Sequence, residues 1–185
     1  MAEKVTNAAA HRFYCANRSD GTRCANLRNQ SFVETTVKAN TLRRVLNLWP
    51  PFVFSGIRVR TVAQDWRYAR VELRAHWYNR NYVRTHFGGS LFAMTDPFWM
   101  IMTMQALGTG YIVWDKAAQI EFVKPGRGTV HAEFKLEDDV LDAIRTATAD
   151  GDRHLRWFET DVVNAAGEIV ARVRKQLYVR RKQVR

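Results

Sequence analysis

The spacing of apolar positions changes several times along the chain, and each change marks a predicted element. From Ser31 to Trp49, Val33, Val37, Leu42, Val45, Leu46 and Trp49 recur at helical spacing, with Arg43 and Arg44 off that face. Pro50-Pro51 stops this helix, because neither proline can donate a ladder hydrogen bond. Two runs, Ile57–Ala63 and Tyr68–His76, then read as strands around a turn at Gln64-Asp65-Trp66. In the second, Val71 and Leu73 alternate with Arg70, Glu72 and Arg74, the pattern of a half-buried strand. Asn79–His86 is polar and irregular, and reads as a loop. Gly88-Gly89 opens the apolar run Ser90–Leu107, which closes at Gly108 and is too long for a usual strand. Tyr111–Val123 predicts a long strand, followed by a turn at Lys124-Pro125-Gly126-Arg127-Gly128 and a strand over Thr129–Leu136. Glu137–Asp150 is acidic, with a short helix around Val140, Leu141 and Ile144. His154–Asn164 and Glu168–Arg180 form a hairpin pattern across Ala165-Ala166-Gly167.

The predicted order is helix, two strands, one long apolar helix, then four strands. That is an α+β pattern, in which one antiparallel sheet wraps a long central helix and an extra helix precedes it. Residues 31–185 form the expected domain. Residues 1–30 are expected to be a disordered tail or an added segment. They lack the apolar core of a secretory signal, and Glu3 and Asp20 weaken a transit-peptide reading.

Composition narrows the partners more than the fold. Among 185 residues, 29 Lys+Arg against 18 Asp+Glu give a net charge of +11, which favours anionic ligands without choosing among them. Six Trp and ten Phe argue against general disorder. The only cysteines, Cys15 and Cys24, make no framework across the domain, so a reducing, cytoplasmic compartment is expected. No metal is expected either, since no further ligands follow at regular spacing.

Between Phe87 and Trp114, Asp96 is the single side chain that carries charge near neutral pH. The run is about as long as a bilayer requires. Its glycines, its carboxylate, Pro97 and Gln105 speak against a membrane span, as does the need of the flanking strands for a cover. Inside a protein the carboxylate must still find donors, water or a raised pKa. Pro97 adds a second irregularity, because it cannot donate to the carbonyl of Ala93 and disfavours helical geometry at Asp96. Asp96 could instead cap a second, shorter helix beginning at Pro97, and such a cap can still project into a cleft. Gly88-Gly89, at the helix start, would let backbone N–H groups approach a developing oxyanion closely.

The stretch Asn81-Tyr82-Val83-Arg84-Thr85-His86-Phe87-Gly88-Gly89-Ser90-Leu91-Phe92-Ala93-Met94-Thr95-Asp96 resembles the core motif of hotdog-fold acyl-CoA thioesterases. In the phenylacetate-pathway type, an Asn precedes His-Gly-Gly by several residues and Leu-Ala-Asp follows on the central helix. Asn81, Gly88, Gly89 and Asp96 stand in those places. Phe87 stands where that type has its His, and His86 lies one position earlier, either a loop residue or a substrate contact. With Val113–Ala118, Lys124–Gly128 and Leu177–Lys182 included, the string is similar to a poorly characterised bacterial branch of the superfamily, a domain of unknown function. The resemblance covers about residues 40–182. It implies a hotdog fold, a coenzyme A or carrier thioester as substrate, no cofactor, and a homodimer or dimer of dimers. By position it implies Asp96 as general base or nucleophile, Asn81 as the group orienting water or carbonyl, and Gly89 N–H as oxyanion donor. Gly88, His86 and Ser90 would line the substrate.

The remaining candidates come from the residues alone. Lys124 and Arg127 flank a turn and could hold coenzyme A phosphates, or be an ordinary exposed turn. Arg172–Arg185 carries seven basic residues and no acidic one. Strand alternation puts Arg172, Arg174, Gln176, Tyr178 and Arg180 on one face, with Ala171, Val173, Leu177 and Val179 on the other. Asp115 and Lys116 point to opposite sides of a strand, which makes Asp115 the reserve carboxylate. Three functions are therefore weighed: a thioester hydrolase, a non-catalytic acyl-CoA-binding module, and a basic nucleic-acid binder. Nucleic acid ranks last, for want of a recognised motif.

Overall fold

The structure is a computed structural model that describes residues 37–183. The predicted tail over residues 1–30, with Cys15 and Cys24, and the start of the first predicted helix lie outside the described residues. Eleven elements follow in chain order: α1 (Ala39–Leu48), α2 (Pro50–Ser55), β1 (Ile57–Val62), β2 (Tyr68–Arg74), α3 (Gly88–Ala93), α4 (Phe98–Leu107), β3 (Tyr111–Phe122), β4 (Thr129–Lys135), α5 (Asp138–Ala147), β5 (Arg153–Asn164) and β6 (Ile169–Arg181). The strands form one antiparallel sheet in the order β1-β2-β4-β5-β6-β3. This is the predicted α+β class.

Strand alternation sorts the sheet into two faces. Ala69, Val71 and Leu73 of β2 pair with Phe134, Ala132 and Val130 of β4, and all six are fully buried. Their neighbours in sequence point the other way, where Arg70 meets Glu133 at 2.8 Å and Arg60 meets Glu72 at 2.7 Å. The inner face is covered by α4. Phe98 lies 5.0 Å from the ring of Phe134, and Trp99 lies 4.7 Å from Phe158. Trp99 also donates its indole N–H to Thr160 Oγ1 at 2.7 Å, so its one polar atom is satisfied inside the core.

Two expectations need correction, both at prolines. The single helix expected over Ser90–Leu107 is two, α3 and α4, separated by turn residues Met94–Pro97. Pro97 has no N–H to give to Ala93, whose carbonyl takes the N–H of Asp96 instead, and helical bonding resumes with Ile101 N–H to Pro97 O. The Asp96–Pro97 peptide is cis. The second helix therefore exists, but Asp96 does not cap it: Pro97 holds the N-cap position and no side chain caps it. Pro50-Pro51, read as a stop, also starts α2. In a first turn the missing N–H groups have no helical acceptor to lose.

The two edges of the sheet differ. At β1, Asn47 of α1 receives the Val59 N–H on Oδ1 at 2.8 Å and donates Nδ2 to Val59 O at 2.9 Å, as a neighbouring strand would. At the other edge, β3 is mostly exposed, including Trp114 and Phe122. Among the described residues no helix is long and apolar enough to cross a membrane.

Because Phe134 joins β4 to both aromatic residues of α4, Phe134→Ala is expected to destabilise the fold by about 3–5 kcal/mol. The measurement is the midpoint of denaturant unfolding at constant slope.

Candidate active site

The break between α3 and α4 delivers the Asp96 carboxylate to the inner face of β6. There Lys175 occupies an inward position between Val173 and Leu177, with its side chain only 4% exposed. Its ammonium forms an ion pair and hydrogen bond with Asp96 Oδ1, lies 3.9 Å from Asp115 Oδ2, and sits 5.1 Å from the centre of the Phe92 ring. A buried ammonium needs such partners, since an unpaired charge in a low-dielectric interior is strongly unfavourable. Asp96 is not sealed in: its side chain is 46% exposed, and among the described residues its Oδ2 takes no hydrogen bond.

Asp115 reaches the cluster from β3. The pairing of β3 with β6 slips between Asp115 and Ala117, so Lys116 is an extra residue in a bulge. Burial pushes the Asp115 carboxyl above the usual carboxylate range; Lys175 opposes the shift and Asp96 adds to it. One Asp115 oxygen, Oδ1, is buried without a hydrogen-bond partner among the described residues. The structure thus brings the reserve carboxylate to the primary one, with a lysine between them.

Lys175 was missed by sequence reasoning, although its signal was present. Strand alternation puts residue 175 on the same side as Ala171, Val173, Leu177 and Val179, which makes it the one charge on an apolar face. Counting it among the basic residues of the C-terminal segment concealed that.

The other predicted residues make no contact with this cluster among the described residues; Gly88, His86 and the Lys124–Gly128 turn gather instead near Phe122, Val170 and Ala171, four to five positions along β6 from Lys175. Asn81 spends its carboxamide on its own loop. Oδ1 accepts from Thr85 N–H at 2.9 Å, and Nδ2 donates to Thr85 Oγ1 at 2.8 Å and His86 O at 3.3 Å. His86 is buried and donates Nε2–H to Gly128 O at 2.9 Å, which fixes the tautomer and leaves Nδ1 buried without a partner among the described residues. Burial lowers its pKa, the Gly128 bond opposes this, and Arg80 lowers it further. Gly88 begins α3 beneath Phe122, whose ring would lie 2.9 Å from an added Cβ. Gly89 is exposed beside the Phe87 ring, and Ser90 is buried. Lys124 is paired with Glu168 at 2.6 Å, and Arg127 is exposed in the same turn. Among the described residues no group of His, Cys, Asp and Glu could hold a metal ion. A shallow cleft of about 210 Å³ opens elsewhere, between Asn47, Ile57, Arg74 and Tyr78, and contains none of the cluster.

Residues 38–179 match the model of a family described as a domain of unknown function, DUF4442. The chain belongs to that family. No curated protein matches it. Solved structures similar to this DUF4442 domain include PA5026 from Pseudomonas aeruginosa, described as a protein of unknown function and probable thioesterase. It is 16% identical with a TM-score of 0.70, over 80% of this chain and 99% of that one. The thioesterase HI1161 from Haemophilus influenzae is similar over 79% of this chain and 92% of its own, at 13% identity and a TM-score of 0.57. OLEI01261 from Chlorobaculum tepidum, of unknown function, is 13% identical with a TM-score of 0.63, over 78% and 98% of the two chains. At such identities the likeness establishes the shared fold.

In the DUF4442 domain the raised Asp115 has a consequence for stability. A carboxyl whose folded pKa lies above its unfolded value of 3.8 favours folding while protonated, and that contribution is lost as pH rises through the folded value. Asp115→Asn is therefore expected to raise the thermal midpoint at pH 7. The advantage should shrink on acidification and vanish below the unfolded value, as read by thermal unfolding across pH 3–8.

Proposed function

We propose that this domain hydrolyses acyl-CoA or acyl-carrier thioesters on a hotdog scaffold, with Asp96 acting on the thioester. The observation that carries this reading is the Asp96 carboxylate. It stands half-exposed at a break between apolar helices, with one oxygen held and the other without a hydrogen bond among the described residues. The names of the similar Pseudomonas and Haemophilus proteins support the reaction class. The six-stranded antiparallel sheet with α4 on its inner face supports the hotdog architecture.

As general base, Asp96 Oδ2 takes a proton from water while the water oxygen bonds to the thioester carbon. The resulting oxyanion would be met by backbone N–H of Gly89, since the first N–H groups of a helix have no internal acceptor. Collapse breaks the C–S bond, and the leaving thiolate takes the proton back from Asp96. The products are a carboxylic acid and a free thiol. As nucleophile, Oδ2 would attack directly, and water would then split the mixed anhydride. Gly88, Ser90 and His86 would line the substrate, and His86 also holds the Lys124–Gly128 turn through Gly128 O. Arg127, with Lys124, would attract the phosphates of coenzyme A. A homodimer would pair the exposed β3 edges of two copies, and the reducing cytoplasm is the expected compartment.

The second reading is an acyl-CoA-binding module without turnover. It is favoured by Asn81, both of whose carboxamide N–H groups are spent on its own loop rather than offered to water or carbonyl.

The deciding experiment is steady-state hydrolysis of acetyl-, hexanoyl-, palmitoyl- and benzoyl-CoA by the parent protein and by Asp96→Asn. The variant is expected to lose at least about 10²-fold in kcat, the scale of a lost proton-transfer group. Turnover that survives the substitution unchanged would overturn this assignment. Calorimetric binding of acyl-CoA with no hydrolysis by the parent would establish the binding module instead.

A further inference from the structure

Stability alone gives no reason for a lysine at position 175. Its neighbours on that face of β6, Val173 and Leu177, are buried apolar residues, and an apolar side chain there would need no partners. Exchanging a buried ion pair for well-packed apolar groups is often neutral or stabilising. Yet three separate elements converge on this one ammonium. Phe92 of α3 offers its ring, the turn before α4 offers Asp96, and the inward face of β3 offers Asp115.

The contacts also differ in what they leave open. The ammonium takes Oδ1 of Asp96, Oδ2 takes no hydrogen bond among the described residues, and the side chain is 46% exposed. Lys175 itself, at 4% side-chain exposure, is too deep to touch a substrate. We infer that Lys175 is a positioning residue: it pins one oxygen of the Asp96 carboxylate so that the other faces the thioester, while Asp115 steadies the ammonium from β3. This rests on the thioesterase reading of Asp96 and adds to it a residue that the motif around Asn81–Asp96 does not contain.

The test compares the parent, Lys175→Met, Lys175→Arg and Asp96→Asn against the same acyl-CoAs. Lys175→Met keeps the aliphatic bulk and removes the charge. It is expected to lose about 10²-fold in kcat, the scale of a misplaced reacting group, with KM within about threefold. Lys175→Arg restores the cation and is expected to recover at least about tenfold of that loss. If Lys175→Met does not fold, Lys175→Met/Asp115→Asn removes the carboxylate left without its cation and carries the same expectation. A folded Lys175→Met with kcat within threefold of the parent, while Asp96→Asn is inactive, overturns the positioning role and leaves the thioesterase reading standing. Unchanged turnover in Asp96→Asn, or none in the parent, overturns the thioesterase reading itself. The pairing is then read from thermal unfolding. The double variant Lys175→Met/Asp96→Asn should unfold above Lys175→Met, because it leaves one carboxylate, Asp115, without the cation rather than two, and the reverse order overturns the pairing.

Discussion

A buried ammonium cannot be left alone, and much of this molecule is arranged around that constraint. Lys175 enters the interior from the central part of β6, so its partners must come from whatever lies against the inner face of the sheet. Pro97 interrupts the helical run at the residue that supplies the nearer carboxylate. The inward face of β3, just before an extra residue in that strand, supplies the farther one. Each irregularity is a cost or an oddity in isolation; around one cation they become mutually explanatory. Because two carboxyl groups face a single lysine, they compete for it, and burial settles the competition against Asp115.

The outer face of the same sheet treats charge in the opposite way. The half-buried pair of Arg70 with Glu133 and the exposed pair of Arg174 with Glu159, at 2.8 and 2.9 Å, bridge neighbouring strands and contribute about 0–1 kcal/mol each. The positive surplus is thus carried largely where solvent and salt can screen it. One strand, β6, takes part in both regimes. Arg174 and Lys175 are adjacent in sequence, one paired in solvent and the other paired in the core.

The strands were legible because a half-buried strand writes its burial into a period of two. Val71 and Leu73 between Arg70, Glu72 and Arg74 fix β2 and its register face without reference to anything else, and Val130, Ala132 and Phe134 do the same for β4. The break at Asp96 was half legible. Both α3 and α4 are largely apolar, so no change of periodicity separates them, and only Pro97 marked the place. Asp96 could be singled out because it is one charge in an uncharged run. Lys175 was hidden because it stands among other basic residues, where composition conceals what alternation exposes. Asp115 faces inward by alternation, two positions after buried Val113, but that β3 pairs with β6 depends on strands far apart in sequence, and no local pattern encodes that.

The Asn47 carboxamide has a consequence for growth. A sheet with two open edges can add neighbours without limit, and that is the geometry of fibres. Here a side chain occupies the Val59 backbone pair at one edge, so the strand there is answered from within its own chain. The β3 edge is mostly exposed and has no such internal cover among the described residues. Two copies meeting there about a twofold axis would leave no second β3 to recruit a third, and such an assembly is finite by construction of its symmetry.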